Sequence, residues 1–175
     1  RNSPFMCEAL TPYPGWVRSR TACFFDLDRT LLDVNSARLF VRREYSAGRL
    51  NRGQLLRSAI YFALYHLAMV DLESAVQRAA AHYAGQPADA LRQQLQEWFA
   101  TDLVGRLRPG ATEAIETHRE RGDRLVVLTG SSDFVAQAAA EAWRLDVAIG
   151  NRFEIDDTGH LTGRFETPVT CGSGK

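Results

Sequence analysis

The chain has 175 residues, of which 45% are hydrophobic and 24% charged, and its 21 basic side chains balance 21 acidic ones. This length and composition predict one globular domain with a substantial core, and the zero net charge gives no support to nucleic-acid binding. Three widely spaced cysteines form no metal-binding or disulfide pattern, which favours a reducing, cytoplasmic location. The longest apolar stretch, residues 59–70, is too short to span a membrane.

The first hundred residues contain one strand pattern and one long helical region. Residues 1–20 hold three prolines and a glycine and indicate a loose N-terminal extension. The apolar run that starts at Ala22 and leads to Asp26 predicts a buried strand. From residue 36 to 100, apolar side chains recur at helical spacing without a strand pattern, so we predict an all-helical insertion. The first expected helix begins near Leu39 and ends at Gly48. Three further helices are expected over residues 55–67, 71–83 and 88–99.

After Arg108-Pro109-Gly110 the pattern returns to an alternation of helices and strands, which predicts an α/β fold. The two clearest signals are a continuous apolar run typical of a buried strand and an alanine-rich helix that follows it. The expected elements are a helix over 111–121 that stops at Gly122, a strand over 125–128, a helix over 133–143, a short strand over 147–149, and a β-hairpin from 152–155 and 161–165 that turns near Gly159.

The most informative segment is the pentapeptide Asp26-Leu27-Asp28-Arg29-Thr30 at the end of the first predicted strand. Ligands bind at the carboxyl ends of strands in open α/β sheets, and two adjacent carboxylates repel unless a cation or a shared proton compensates them. A phosphate ester with Mg²⁺ would do so. If the strand continued through Asp28, both carboxylates would face the same way, so that Asp26 attacks phosphorus and Asp28 transfers the leaving-group proton. An Asp-rich turn is the other interpretation.

A second polar segment, Thr129-Gly130-Ser131-Ser132, follows the strand predicted over 125–128. The Thr129 hydroxyl can donate a hydrogen bond to a phosphoryl oxygen, and the Gly130 amide can approach the same group because glycine has no Cβ. The N-terminus of the next helix also favours an anion. Alternatively, Ser131 or Ser132 is simply the helix cap, and both interpretations can hold together.

Lys175 is the last residue of the chain, in Gly172-Ser173-Gly174-Lys175. A lysine beside Asp26 would neutralise the nucleophile and the transferring phosphate. A flexible, charged chain end is the alternative interpretation.

These segments resemble a known family. The run from Phe24 to Leu32 resembles motif I of the haloacid dehalogenase-like phosphatases, and the run from Val126 to Ser131 resembles motif II. The helical insertion resembles a C1-type cap, and the Pro109-Gly110 return, the hairpin and the terminal Gly-Ser-Gly-Lys resemble the phosphoserine-phosphatase-like branch, subfamily IB. The implied fold is a Rossmann-like core with a parallel sheet (residues 21–34 and 106–175), a helical cap (residues 35–105) and a β-hairpin after the third core strand.

The resemblance implies a Mg²⁺-dependent hydrolase of small phosphorylated metabolites that works through an aspartyl-phosphate. Two other functions stay open: phosphotransfer to an acceptor other than water, and non-catalytic binding of phosphorylated ligands within a longer protein. The implied roles are nucleophile and metal ligand for Asp26, acid/base and carbonyl metal ligand for Asp28, phosphate binding for Thr129 and Lys175, and substrate binding for Arg29, Gly130 and Ser131.

The chain departs from the family pattern in two places. The acidic pair of motif IV is expected beyond Lys175, so we expect a C-terminally truncated fragment with weakened metal binding, low activity and an exposed apolar sheet edge. A fused or following domain beyond Lys175 stays open. In addition, Asn35 stands where phosphoserine phosphatases carry a glutamate that holds the substrate ammonium, and Arg29 replaces a small residue. These two differences favour another small phosphate ester. Arg29 would then meet either a second anionic group or a cap carboxylate.

Overall fold

The computed structural model describes residues 21–48, 53 and 72–170. The predicted N-terminal extension, the helix expected over 55–67 and Lys175 lie outside the described residues. The α/β fold is confirmed by a three-stranded sheet, a two-stranded antiparallel hairpin and five α-helices within the described ranges. The strands are β1 (Ala22–Asp26), β2 (Arg124–Ser132), β3 (Val147–Asn151), β4 (Phe153–Ile155) and β5 (Leu161–Phe165), and the helices are α1 (Ser36–Ser46), α2 (Leu72–Ala80), α3 (Ala88–Trp98), α4 (Pro109–Glu120) and α5 (Asp133–Trp143).

The three-stranded sheet is parallel throughout, in the order β1-β2-β3. Asp26 pairs in register with Leu128, and Ser132 pairs with Asn151 after an irregularity in the β2–β3 ladder. The carboxyl ends of all three strands therefore meet at one edge, which is the edge where ligands bind in sheets of this class. The register sets Thr129, which follows Leu128, beside the end of β1.

One face of this sheet packs into the main core. Phe25, Leu125 and Val127 belong to a single buried apolar cluster, and the ring of Phe25 meets His118 of α4 edge-on with centroids 6.1 Å apart. Because successive strand side chains point to opposite faces, Phe24 points away from that cluster and is 58% exposed.

Within the residues that the structure covers, no helix is both long and apolar enough to cross a membrane.

Most helix boundaries follow local signals. Helix α5 occupies the predicted residues, and α1 is followed by Gly48 at φ +72°, a left-handed conformation that glycine adopts without strain. Helix α4 begins two residues earlier than predicted, because Pro109 fits the first helical turn, where no N–H is needed. Strand β2 is the largest difference, since it runs from Arg124 to Ser132 rather than over residues 125–128.

The hairpin β4–β5 docks on the helical segment through backbone and side-chain hydrogen bonds. Leu161 donates its N–H to the Gln86 carbonyl at 2.9 Å and accepts the Gly85 N–H at 2.8 Å. The Gln77 amide of α2 bonds both backbone groups of Phe165, donating to the carbonyl at 3.0 Å and accepting the N–H at 2.9 Å. Gln77 thus ties α2 to β5.

Replacing Gln77 with Ala is expected to lower the free energy of unfolding by about 2 kcal/mol, because two backbone groups of the largely buried Phe165 lose their partner. Urea titration followed by circular dichroism measures the change. Gln93→Ala is the matched control, since exposed Gln93 bonds only Glu97 in the same helix and should cost less than about 0.5 kcal/mol. Equal losses in both variants would contradict the role given to Gln77.

Candidate active site

A five-residue turn, Leu27–Leu31, follows β1 and carries most of the polar pentapeptide, with non-helical backbone angles at Asp28 and Arg29. The strand ends at Asp26, and the turn closes with a 2.9 Å hydrogen bond from the Leu32 N–H to the Leu27 carbonyl. The strand therefore does not continue through Asp28, and the condition under which both carboxylates would face the same way along the strand is not met. The physical reason is burial: Leu27 and Leu31 are both less than 2% exposed, and their insertion into the core coils the chain between them.

Asp28 sits against the N-terminus of α1. Its carboxylate accepts the Ser36 N–H at 2.7 Å and lies 3.4 Å from the Asn35 side-chain nitrogen, which can donate to it. The Asn35 side chain also caps α1 by accepting the Arg38 N–H at 3.0 Å. Asn35 is therefore a helix cap and a neighbour of Asp28, a role that its position directly before a helix could have suggested. The Ser36 N–H and the Asn35 side-chain amide, both at the start of α1, orient Asp28.

Asp26 lies at the end of β1, half-buried, with Thr30 beside it. The Thr30 hydroxyl donates to an Asp26 carboxylate oxygen over 3.4 Å. Thr30 lies in the same turn as Asp28. The carboxylates of Asp26 and Asp28 and the hydroxyl of Thr30 are therefore all at the end of β1. These oxygens are donors of the class that Mg²⁺ prefers.

Arg29 occupies an unfavourable backbone conformation, with φ +60° and ψ 3°. A side chain in this left-handed region crowds the following carbonyl, which explains why a small residue suits this position of the turn. The Arg29 side chain is exposed. The backbone N–H of Arg29 donates to the Val34 carbonyl at 3.1 Å. The turn therefore stores strain next to both carboxylates.

Replacing Arg29 with Gly is expected to raise the free energy of unfolding by about 1 kcal/mol, because glycine adopts this conformation without a steric cost. The midpoint of thermal or urea unfolding measures the gain. Arg38→Gly serves as the control: Arg38 is exposed inside α1, where the same substitution should lower stability by about 1 kcal/mol. A loss of stability in both variants would argue against strain at Arg29.

The second polar segment lies at the end of β2. Thr129 is only 1% exposed, and its hydroxyl oxygen accepts the Ser131 N–H at 3.1 Å. Ser132 caps α5 by accepting the Val135 N–H at 3.4 Å, so the capping interpretation is confirmed for Ser132 and not for Ser131. Among the described residues, a Cβ added at Gly130 would meet the Thr170 carbonyl oxygen alone, at 3.6 Å.

Asn151, at the end of β3, is a buried polar residue that sequence reasoning missed. Its side chain is 1% exposed, donates to the Gly130 carbonyl at 2.7 Å and accepts the Thr170 N–H at 2.5 Å. The preceding residue, Gly150, packs directly on the backbone of Ser132. No local pattern identifies Asn151, because its partners are 21 and 19 residues away in the chain.

Asp133 is the first residue of α5 and lies near this edge of the sheet. Burial raises the pKa of its carboxyl, while the N–H groups of Phe134 and Phe153 act in the opposite sense. One of its oxygens, Oδ1, is buried without a hydrogen-bond partner among the described residues. Because the folded pKa lies above the ordinary value of 3.8, the ionised carboxyl opposes folding near neutral pH, and this effect disappears below that value.

The structure brings six of the seven predicted site residues to the ends of β1 and β2: Asp26, Asp28, Arg29, Thr129, Gly130 and Ser131. The seventh, Lys175, lies outside the described residues. Across residues 21–48 and 72–170, no group of three or more His, Cys, Asp or Glu side chains is arranged to hold a metal. Two oxygen donors nevertheless fit Mg²⁺, which is commonly bound through one or two carboxylates together with water and substrate phosphate.

The chain is similar to a known protein family and to individual relatives. The sequence pattern of the haloacid dehalogenase-like hydrolases matches residues 23–175. A Streptomyces azureus protein named inhibition of morphological differentiation protein is 30% identical over 151 residues, which cover 84% of this chain and 54% of that protein. A Mycobacterium tuberculosis H37Rv protein named as a probable phosphatase is 28% identical over 181 aligned residues, covering 99% and 62%. The chain thus spans less than two thirds of either relative.

Solved structures share the fold. A Bordetella pertussis Tohama I protein of unknown function superposes with a TM-score of 0.77 at 23% identity, over 87% of this chain and 69% of that one. A phosphoserine phosphatase captured as an analogue of its phospho-aspartyl intermediate superposes with a TM-score of 0.54 at 21% identity, over 85% and 64%.

Proposed function

Because the chain belongs to the haloacid dehalogenase-like hydrolases, we propose that it hydrolyses phosphate monoesters of small metabolites through a phosphorylated Asp26. The observation that carries this proposal is the parallel register of β1 and β2, which sets Asp26 beside Leu128 and hence next to Thr129. A nucleophile, a second carboxylate and the segment proposed to bind phosphate, residues 129–132 (the phosphate-binding segment), thereby share one sheet edge. The name of the Mycobacterium relative and the shared fold of the phosphoserine phosphatase support the same reaction class.

The reaction proceeds in two displacements at phosphorus. An Asp26 carboxylate oxygen attacks, the bond from phosphorus to the ester oxygen breaks, and Asp28 gives its proton to the departing oxygen. Asp28 then accepts a proton from water, whose oxygen attacks phosphorus, so that inorganic phosphate leaves and Asp26 is restored. The hydrogen bond from the Ser36 N–H and the neighbouring Asn35 amide hold the Asp28 carboxyl in place during both steps.

The transferring phosphate needs compensation for its negative charge. The Thr129 hydroxyl, the backbone amide of Gly130, the Ser131 side chain and Lys175 supply donors and a positive charge. The Asp26 carboxylate and the Asp28 carbonyl would hold Mg²⁺, which neutralises charge on the phosphoryl oxygens when it is bound. The resemblance to subfamily IB implies a core of residues 21–34 and 106–175 and a cap of residues 35–105, which would exclude water from this edge.

The substrate is a small phosphate ester other than phosphoserine. Asn35, at the position that would contact a substrate ammonium, is a neutral amide already engaged by α1 and Asp28. The exposed Arg29 has no acidic partner among residues 21–48 and 72–170, which leaves its guanidinium able to meet a second anionic group of the substrate. Phosphate esters that carry a second anion are therefore the preferred candidates.

The test is hydrolysis of p-nitrophenyl phosphate with and without Mg²⁺. We expect turnover that requires the metal and is lost on addition of EDTA, because the metal neutralises charge on the transferring group. Detection of inorganic phosphate, rather than a phosphorylated alcohol, distinguishes hydrolysis from phosphotransfer. Since the chain spans only part of its relatives, the same assay is applied to a longer chain that continues past Lys175. Lack of Mg²⁺-dependent turnover in both proteins, when folded, would refute the proposal.

A further inference from the structure

Asn151 uses both ends of its side-chain amide inside the fold. The nitrogen donates to the Gly130 carbonyl and the oxygen accepts the Thr170 N–H. A flipped amide would set donor against donor and acceptor against acceptor, so these two partners allow only one orientation. With 1% exposure, Asn151 cannot exchange either partner for water without opening the structure.

The first of these bonds controls a peptide plane in the phosphate-binding segment. In a trans peptide the carbonyl of Gly130 and the N–H of Ser131 point in opposite directions. When Asn151 holds the carbonyl on its own side, the Ser131 N–H is turned away from it and bonds the Thr129 hydroxyl oxygen at 3.1 Å. A threonine hydroxyl has one proton and two lone pairs, so this bond occupies a lone pair and leaves the proton to be donated elsewhere.

The second bond fixes another part of the same edge. Thr170 closes the described segment that follows β5, and Lys175 comes five residues later in the sequence. One buried side chain therefore anchors both the segment that contains Thr129 and the segment that leads to Lys175. These are the two segments that supply phosphate ligands in the proposed function.

We infer that Asn151 is a positioning residue for phosphate, one that sets the donor direction of the Thr129 hydroxyl through Gly130 and holds Thr170, five residues before Lys175 in the sequence. The inference rests on the proposed function. Both hydrogen bonds of the Asn151 side chain go to backbone groups, so it acts through Gly130 and Thr170. A purely structural role would lower stability alone, whereas a positioning role changes phosphate affinity selectively.

The first experiment measures inorganic phosphate as a competitive inhibitor of p-nitrophenyl phosphate hydrolysis in Asn151→Asp and Asn151→Ser. We expect the inhibition constant to rise at least about tenfold in both, and more in Asn151→Asp, whose carboxylate faces the Gly130 carbonyl. The Mg²⁺ concentration for half-maximal activity should stay within about twofold, because the metal-binding oxygens belong to the β1 turn. Ile115→Val, a mild core change in α4, is the control for lost stability.

A phosphate inhibition constant within about twofold of the unsubstituted protein in both folded variants would overturn the inference. So would a change no larger than that of Ile115→Val.

The second experiment is hydrogen exchange of individual amides, which does not need turnover. The Ser131 and Thr170 amides should exchange at least about tenfold faster in Asn151→Ser, while the Val127 amide in the β1–β2 ladder keeps its rate. If the unsubstituted protein hydrolyses no phosphate ester, the proposed function fails. The exchange result still tests whether Asn151 holds the Gly130 and Thr170 backbone groups in place. Unchanged exchange at both amides would overturn the inference whatever the activity.

Discussion

Replacing Asp26 with Asn is expected to reduce hydrolysis of p-nitrophenyl phosphate by at least about 1,000-fold while the protein stays folded. The amide has nearly the same shape as the carboxylate but has no anionic oxygen to attack phosphorus. Asp26 sits half-buried at the end of β1, where Thr30 can still donate to the remaining amide oxygen. The loss should therefore appear in kcat, with little change in the unfolding midpoint.

The control for Asp26→Asn is Asp33→Asn, which removes a carboxylate from the same region of the chain. The Asp33 side chain is 54% exposed and lies 3.8 Å from the Arg106 guanidinium, a surface pair of small energetic value. Its substitution should change activity by less than about twofold. Residual activity above about 10% in Asp26→Asn, measured on protein free of deamidated material, would exclude Asp26 as the nucleophile.

Replacing Gly150 with Ala is expected to lower the free energy of unfolding by about 3 kcal/mol. A Cβ at this position would lie 2.9 Å from the Ser132 carbonyl carbon and oxygen and from the Asp133 nitrogen. All three are backbone atoms at the junction between β2 and α5, so a side-chain rotation cannot relieve the clash. Either β3 or the segment of residues 129–132 has to move, and we expect hydrolysis to fall together with stability.

Gly110→Ala is the matched control for Gly150→Ala. Gly110 lies in the first turn of α4, where an added Cβ meets nothing within 4 Å, so alanine should be neutral or stabilise by up to about 1 kcal/mol. Urea titrations of the two variants give the comparison directly. Similar urea midpoints for the two variants would show that β3 does not pack against residues 129–132 as closely as the structure indicates.

Features with a local cause could be predicted from the sequence. Helix α5 has the predicted bounds because Ser132 caps its start and alanine favours the helix throughout. The hairpin β4–β5 follows from a turn in which Gly159 adopts φ +80°. The acidic pentapeptide can be predicted as a candidate site from its residue types and from its place after a strand.

The arrangement of the site, in contrast, is decided by tertiary structure. The burial of Leu27 and Leu31 coils the chain after β1, which sends Asp28 to the N-terminus of α1 instead of along the strand. The same turn puts Arg29 in a left-handed conformation that no local pattern of an arginine predicts. These outcomes depend on which apolar groups the rest of the fold can bury.

Asn151 gives the same lesson for hydrogen bonds. The sequence places an ordinary asparagine at the end of a short strand, where a turn or a cap is the usual explanation. Only the parallel register of β2 and β3 sets it across from Ser132 and within reach of Gly130 and Thr170. The sequence alone thus determined the residue types and the strand ends that carry the chemistry. The long-range pairing of strands decided which polar groups meet there, because a buried polar group takes whatever partner the fold brings to it.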